Sequence, residues 1–270
     1  MIRDVHHVGI AVRDMDEAYA LYRDALGLPL VKEGEVTARG VKAAMLAAGR
    51  SYLELVQPTA DTSPFAKHIE ERGEGLHHLA LHSDAVDAQV EALREAAAPL
   101  EDHEPRAGFT GRLSYLHSQA FDGALLEVVQ PEDGLRGDTN RSGPITRIDH
   151  VVLRVPDAQA TCSRFETYFG VPTKRSFERG PMLFAFLRPG DVIIEVIGPK
   201  DGGGDPGSGR IAGLAFEVKG IDDLAASLKE KGYPVGEPHA ALQGGRIVSV
   251  HHSGACGVPV AFIDFSGSPR

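Results

Sequence analysis

The sequence predicts an α+β protein made of four βαβββ modules. An apolar strand motif recurs four times: Val5-His6-His7-Val8-Gly9-Ile10, Leu76-His77-His78-Leu79-Ala80-Leu81, Ile148-Asp149-His150-Val151-Val152-Leu153 and Ile211-Ala212-Gly213-Leu214-Ala215-Phe216. A second strand motif follows each at nearly constant distance. It reads Tyr52-Leu53-Glu54-Leu55-Val56, then Leu125-Leu126-Glu127-Val128-Val129, then Ile193-Ile194-Glu195-Val196-Ile197, and degenerately Val260-Ala261-Phe262-Ile263-Asp264. His7 to Glu54 spans 47 residues, His78 to Glu127 49, His150 to Glu195 45, and Gly213 to Phe262 49. Self-similarity at a fixed spacing marks a repeated structural unit. The segment Pro131–Pro144, rich in Gly, Asp, Asn and Ser, separates the second copy from the third. It reads as a linker. The expected domains are therefore 1–133 and 145–270, joined by 134–144.

Each element has a local reason. Residues 5–12 are apolar and β-branched, as strands are. Asp14 to Glu17 offer N-cap chemistry before Ala18, Leu21, Tyr22 and Leu26, which fall at helical spacing, and Gly27 stops that helix. A strand is expected from Leu28 to Val31, then a hairpin-like pair, Val41–Ala47 and Tyr52–Val56, around Gly49. Pro64 opens a short connecting helix that Gly73 and Gly75 close. The second module repeats the pattern, with a strand at 76–82, a helix from about Ala85 to Ala97, and strands near Arg112–His117 and Ala124–Gln130. The third begins at Ile145 and carries a helix at Ala158–Phe169. A glycine-rich loop, Asp201–Gly209, connects it to the fourth. That loop does not lie between a strand and a helix, so it reads as a flexible connection rather than a phosphate cradle. The fourth has a strand at 211–218, a helix near Ile221–Lys231, and strands near Arg246–His251 and Pro259–Phe265.

Bulk properties exclude several classes. A net charge of −10 with no basic cluster argues against nucleic acid and gives a membrane surface nothing to attract. No apolar run approaches the roughly 20 residues that span a bilayer. The chain enters a strand at once after Met1-Ile2-Arg3-Asp4, so no signal peptide is expected. Cys162 and Cys256 stand in no metal spacing and read as free thiols of a reducing compartment, which makes cytoplasm the expected location.

Imidazole and carboxylate together suit a borderline divalent metal. If the first two modules pack as a pseudo-symmetric pair, His7 faces His78 and Glu54 faces Glu127. A lone histidine at a strand start is ordinarily a core residue. A glutamate inside Leu53-Glu54-Leu55 is harder to explain that way, because burying an isolated carboxylate is costly, and here the pairing with a histidine occurs twice. Strand alternation points His6 and His77 away from such a site, as bystanders or supporting groups. His117 and His252 sit ten residues before Glu127 and Phe262 and read as strand residues of equivalent position. In the second half His150 and Glu195 persist, but Gly213 and Phe262 stand where the other two ligands would be. That half is expected to support the pocket and to bind no metal.

The pattern resembles the vicinal oxygen chelate (glyoxalase/bleomycin resistance/dioxygenase) superfamily, whose paired βαβββ modules form a cupped mixed sheet around a metal. Residues 5–131 look more closely like the methylmalonyl-CoA epimerase family. The matching stretches are His7-Val8-Gly9-Ile10-Ala11-Val12, Leu53-Glu54-Leu55, Ser63-Pro64, Gly73-Glu74-Gly75-Leu76-His77-His78, Glu104-Pro105-Arg106 and Leu125-Leu126-Glu127-Val128-Val129-Gln130. The resemblance implies one divalent ion (Co, Ni, Zn, Mn or Fe) on His7, Glu54, His78 and Glu127. It further implies isomerisation through an enolate of a chelated acyl or carbonyl substrate, with Glu127 as base. Some epimerases carry a second carboxylate three residues after the Gly-Val turn. Here Gly40-Val41 leads to Lys42 and Ala43, so the return proton is expected from water, Glu54 or a group on the second domain. The second domain can stand in for a partner subunit, giving a monomer that is a pseudo-dimer, or a homodimer. Arg106, Arg112 and Lys67 are candidates for the phosphates of a CoA-type substrate. The alternatives are a glyoxalase I-like lyase, an extradiol-type Fe(II) dioxygenase and a non-enzymatic resistance protein that binds a small molecule.

Overall fold

The computed structural model describes residues 1–135, 143–241 and 244–266. Most of the expected 134–144 linker lies outside these residues. The first module comprises β1 (Ile2–Ala11), α1 (Met15–Tyr19), β2 (Leu30–Val36), β3 (Val41–Ala48) and β4 (Ser51–Pro58), and the connecting helix α2 (Pro64–Arg72) follows. The second comprises β5 (Gly75–Ser83), α3 (Val86–Glu95), β6 (Arg106–Ala107), β7 (Gly111–Tyr115) and β8 (Leu125–Pro131). The third is β9 (Ile145–Arg154), α4 (Ala158–Phe169), β10 (Thr173–Arg179), β11 (Met182–Leu187) and β12 (Ile193–Pro199). The fourth is β13 (Arg210–Val218), α5 (Ile221–Glu230), β14 (His239–Ala240), β15 (Arg246–Val250) and β16 (Val260–Asp264). Every module is βαβββ, as the repeat predicted.

The modules pair into two eight-stranded mixed sheets of one topology, β2-β3-β4-β1-β5-β8-β7-β6 and β10-β11-β12-β9-β13-β16-β15-β14. The tandem α+β fold expected from the sequence is therefore present. In each sheet the first strands of two modules lie side by side at the centre. The second-motif strands flank them, and β8, β12 and β16 run parallel to β5, β9 and β13. This is what brings the strand that carries each histidine next to its counterpart.

Local differences from expectation have local causes. Asp14 caps α1 by accepting from the amides of Asp16 and Glu17, but α1 is short and passes into a π-helix, Ala20–Ala25. β2 starts at Leu30 rather than Leu28, because Leu28 belongs to the turn, its amide donating to the Tyr22 carbonyl at 3.1 Å. The two-residue strands β6 and β14 are too short to carry a periodic signal. The helix at Ala158–Phe169 has the expected bounds. Asp157 caps its start, and Gly170 at φ 66° ends it in the left-handed conformation that glycine adopts without cost.

Two compact units divide the chain, and each joins modules from both sheets: Met1–Val8, His77–Arg136 and His150–Ala212 in one, Gly9–Leu76, Gly137–Asp149 and Gly213–Arg270 in the other. In the first, Phe121 packs on Phe165 with ring centroids 4.8 Å apart and stacks on Phe169 at 6.0 Å. Gln89 donates to the Tyr168 carbonyl at 3.1 Å. The buried Asp4 carboxylate accepts from the amides of Asp191 and Val192 at 3.1 and 3.4 Å. In the second, the fully buried Tyr22 donates its hydroxyl to the Ala255 carbonyl at 3.0 Å. Asp264 accepts from the amides of Gly220 and Ile221 at the start of α5, at 2.9 and 3.2 Å.

Candidate metal centre

His7, Glu54 and His78 each offer a ligand atom, and these atoms lie within 4.8 Å of one another. His7 comes from β1, Glu54 from β4 and His78 from β5, three neighbouring strands in the middle of the first sheet. The two imidazoles meet at their Nε2 atoms, 3.0 Å apart, with the rings edge to face. Glu127 is not one of the three, but its Oε1 lies 3.3 Å from His7 Nε2. Relative exposures are 1% for His7, 7% for Glu54, 0% for His78 and 1% for Glu127. Carboxylates so buried need a compensating partner. Two imidazole nitrogens and carboxylate oxygens converging out of water form a donor set that fits a borderline divalent cation. Burial, then the neighbouring His6 and His78, hold His7 well below the usual imidazole range. It is therefore neutral, as a ligand must be.

The groups around these side chains are equally specific. His6 and His77 do not stand apart from the site: His6 Nδ1 lies 2.7 Å from His7 Nδ1, and His77 Nδ1 lies 3.0 Å from His78 Nδ1. His6 Nε2 reaches the Leu135 carbonyl at 2.8 Å. Burial depresses the His6 pKa to about 4. Tyr115, not anticipated from the sequence, pairs directly with Glu127 across β7 and β8 and stands edge-on to His78 with centroids 5.7 Å apart. Paired residues of adjacent strands share a face, so Tyr115 and Glu127 point the same way. The alternation of Leu113 with Tyr115 along β7 was the signal that could have found it.

Comparison with known proteins shows the family. The pattern of the Glyoxalase/Bleomycin resistance protein/Dioxygenase superfamily matches residues 6–115 and again 149–249. The chain belongs to this superfamily. Within it, the chain is 32% identical to the ethylmalonyl-CoA/methylmalonyl-CoA epimerase of Cereibacter sphaeroides over 133 residues, which are 48% of this chain and 99% of that protein. It is 28% identical to the mitochondrial methylmalonyl-CoA epimerase of Homo sapiens over 128 residues, 47% of this chain and 73% of the relative. A mutant of 4-hydroxymandelate synthase from Streptomyces coelicolor superposes over 100% of this chain and 94% of its own, with TM-score 0.73 and 20% identity. That likeness is one of fold.

The second sheet differs at the equivalent positions. His150 Nε2 and Glu195 Oε2 are 3.8 Å apart with side chains 16% exposed. Burial raises the Glu195 pKa, with His150 opposing it. Phe262 occupies the position of Glu127, and its register partner is Phe216, where the first sheet has Ala80 opposite Glu127. These two rings stack at 6.0 Å, so apolar packing fills the volume.

The remaining named residues lie elsewhere. Arg112 makes a two-pronged ion pair with Asp87 at 2.5 and 2.8 Å. Arg106 bonds Asp102 at 3.0 Å and lies 5.6 Å from the Tyr115 ring centroid. Lys67 is exposed, 3.8 Å from Glu71. His117 is not a strand residue. It caps the 3₁₀ turn Ser118–Phe121 by accepting from the Gln119 amide, and its counterpart is His251, which caps His252–Gly254, rather than His252. Among the described residues, no helix is long and apolar enough to cross a membrane.

Proposed function

We propose that this chain is a metal-dependent isomerase of the epimerase kind, acting on the carbon beside the carbonyl of an acyl thioester. The ligands are His7, Glu54, His78 and Glu127, and Glu127 doubles as the base. The observation that carries the reading is the meeting of His7, Glu54 and His78 within 4.8 Å, with Glu127 against His7 at 3.3 Å. The epimerase relatives, named for ethylmalonyl-CoA and methylmalonyl-CoA, supply the substrate class. A divalent ion on these residues would polarise the substrate oxygens as a Lewis acid and make the neighbouring C–H acidic. The chain's own work is to orient the thioester, exclude water and move a proton.

Glu127 takes that proton, its carboxylate standing beside His7 and outside the His7–Glu54–His78 group. A second group must return it. Position 43 offers none, because Ala43 is buried in β3 opposite Val56. Tyr115, on the face of Glu127 and beside His78, is the side chain we assign to this step.

The test is deuterium incorporation beside the carbonyl of methylmalonyl-CoA and ethylmalonyl-CoA in heavy water, with and without added Co(II). Metal-dependent wash-in without oxygen consumption is expected, and Glu127→Gln abolishes it. A second reading has its own observation: two histidines and one carboxylate are also the donor set of non-haem Fe(II) oxygenases. Oxygen uptake by the Fe(II)-loaded protein, with no wash-in, would select it instead.

A further inference from the structure

The geometry points to His6 as a positioning residue that fixes the tautomer of His7, relaying the Leu135 carbonyl to the nitrogen facing the metal centre. The inference rests on the metal-centre reading above and adds to it a residue that makes no contact with substrate or ion.

A backbone carbonyl can only accept. His6 Nε2, 2.8 Å from the Leu135 oxygen, therefore carries the hydrogen of that bond. A neutral imidazole has one N–H, so His6 Nδ1 is left as an acceptor. It lies 2.7 Å from His7 Nδ1, and that bond then needs its hydrogen on His7 Nδ1. The consequence is that His7 Nε2 carries no proton, and this atom faces His78 Nε2 at 3.0 Å and Glu127 Oε1 at 3.3 Å. A lone pair turned toward another ring nitrogen and a carboxylate oxygen is the arrangement a cation satisfies. Metal-bound histidines commonly hand their second N–H to a carboxylate or carbonyl, which orients the ring. Here a second histidine is interposed, and the carbonyl lies one ring further out.

The bland alternative is that His6 merely satisfies a buried carbonyl. Comparison between modules weighs against it. The second module repeats the ring-to-ring contact, with His77 Nδ1 at 3.0 Å from His78 Nδ1. In the third module the preceding residue is Asp149, tied to Arg147 at 2.9 Å. In the fourth it is Ala212, ahead of Gly213. Adjacent histidines thus accompany the two modules whose histidines face the centre.

The test has two arms. In metal-free, ¹⁵N-labelled wild type, long-range ¹H–¹⁵N correlation spectra read the tautomers directly. The expected result is His6 protonated at Nε2 and His7 at Nδ1. Finding His7 protonated at Nε2 overturns the proposal. In the second arm, Co(II) titration followed by visible absorption compares wild type, His6→Phe and His6→Gln. The Gln amide can donate to Leu135 and accept from His7, whereas Phe keeps the volume and loses both bonds. Co(II) affinity is expected to fall roughly 10–100-fold in His6→Phe and to recover most of that in His6→Gln. Equal affinity in wild type and His6→Phe, or equal loss in both variants, overturns it. Failure of wild type to bind Co(II) overturns the metal-centre reading instead, while the tautomer assignment still stands or falls on the spectra.

Discussion

At the scale of single residues, burial decides the chemistry. The four proposed ligands are buried ionisable side chains, and burying carboxylates without a compensating partner is costly. Tyr115 carries the sharpest consequence. If it returns the proton that Glu127 removes, Tyr115→Phe slows inversion at the α-carbon by about 10²–10⁴-fold. Wash-in of solvent deuterium with retention continues, because Glu127 is untouched. Chiral analysis of the recovered thioester separates the two, and equal loss of both would remove Tyr115 from the mechanism. Cys256 offers a pH test away from the site. Burial, then the nearby Glu74, pushes its thiol up to about 12 from 9.0. Between those values the unfolded chain has lost a proton that the folded chain keeps, so stability falls as pH rises through that window. At pH 8.5 iodoacetamide should label Cys256 in urea and leave it nearly untouched in the native protein.

At the scale of elements, caps and close approaches matter more than propensity. α1 holds one turn through the Asp14 cap before the π-helix takes over. The turn after it leads into β2, whose edge position lets Glu33 accept from the Tyr19 hydroxyl at 3.0 Å and pair with Lys42 at 2.9 Å. Gly257 shows the limit that backbone contact sets. It sits at φ +74°, and a Cβ there would come within 1.9 Å of the Glu74 carbonyl oxygen. Both the left-handed conformation and the contact penalise a side chain. Gly257→Ala should cost at least roughly 1–3 kcal/mol in urea unfolding, since a backbone oxygen cannot rotate away. An unchanged midpoint would show that the Glu74 segment yields easily.

At the scale of the whole molecule, one topology used twice has produced two different centres. In the first sheet the equivalent positions are His7, Glu54, His78 and Glu127. In the second they are His150, Glu195, Gly213 and Phe262, and stacked Phe216 and Phe262 stand where the first sheet pairs Ala80 with Glu127. The compact unit built from the second and third modules rests on Phe121, fully buried against Phe165 and Phe169. Phe121→Ala should destabilise by about 3–5 kcal/mol, the range for large aromatic truncations, read as a lower urea midpoint at unchanged slope. A loss below about 1 kcal/mol would mean the helix α4 carries little of the packing there.

The repeat and the module order were legible from residues alone, and so was the recurrent His-to-Glu spacing that singles out His7, Glu54, His78 and Glu127 as the proposed ligands, because a period-two strand pattern and a fixed spacing are properties of the chain itself. Three things were not. The adjacent histidines read as pointing away by strand alternation, yet their Nδ1 atoms turn toward His7 and His78. Tyr115 lay unnoticed in β7 until register set it opposite Glu127. His117 and His251 proved to be helix-turn caps rather than strand residues. The Tyr115 position is set by strand register and the His6 ring by the Leu135 carbonyl 129 residues away, so neither leaves a local pattern to read, whereas the His117 and His251 caps are short-range contacts that a strand reading passes over.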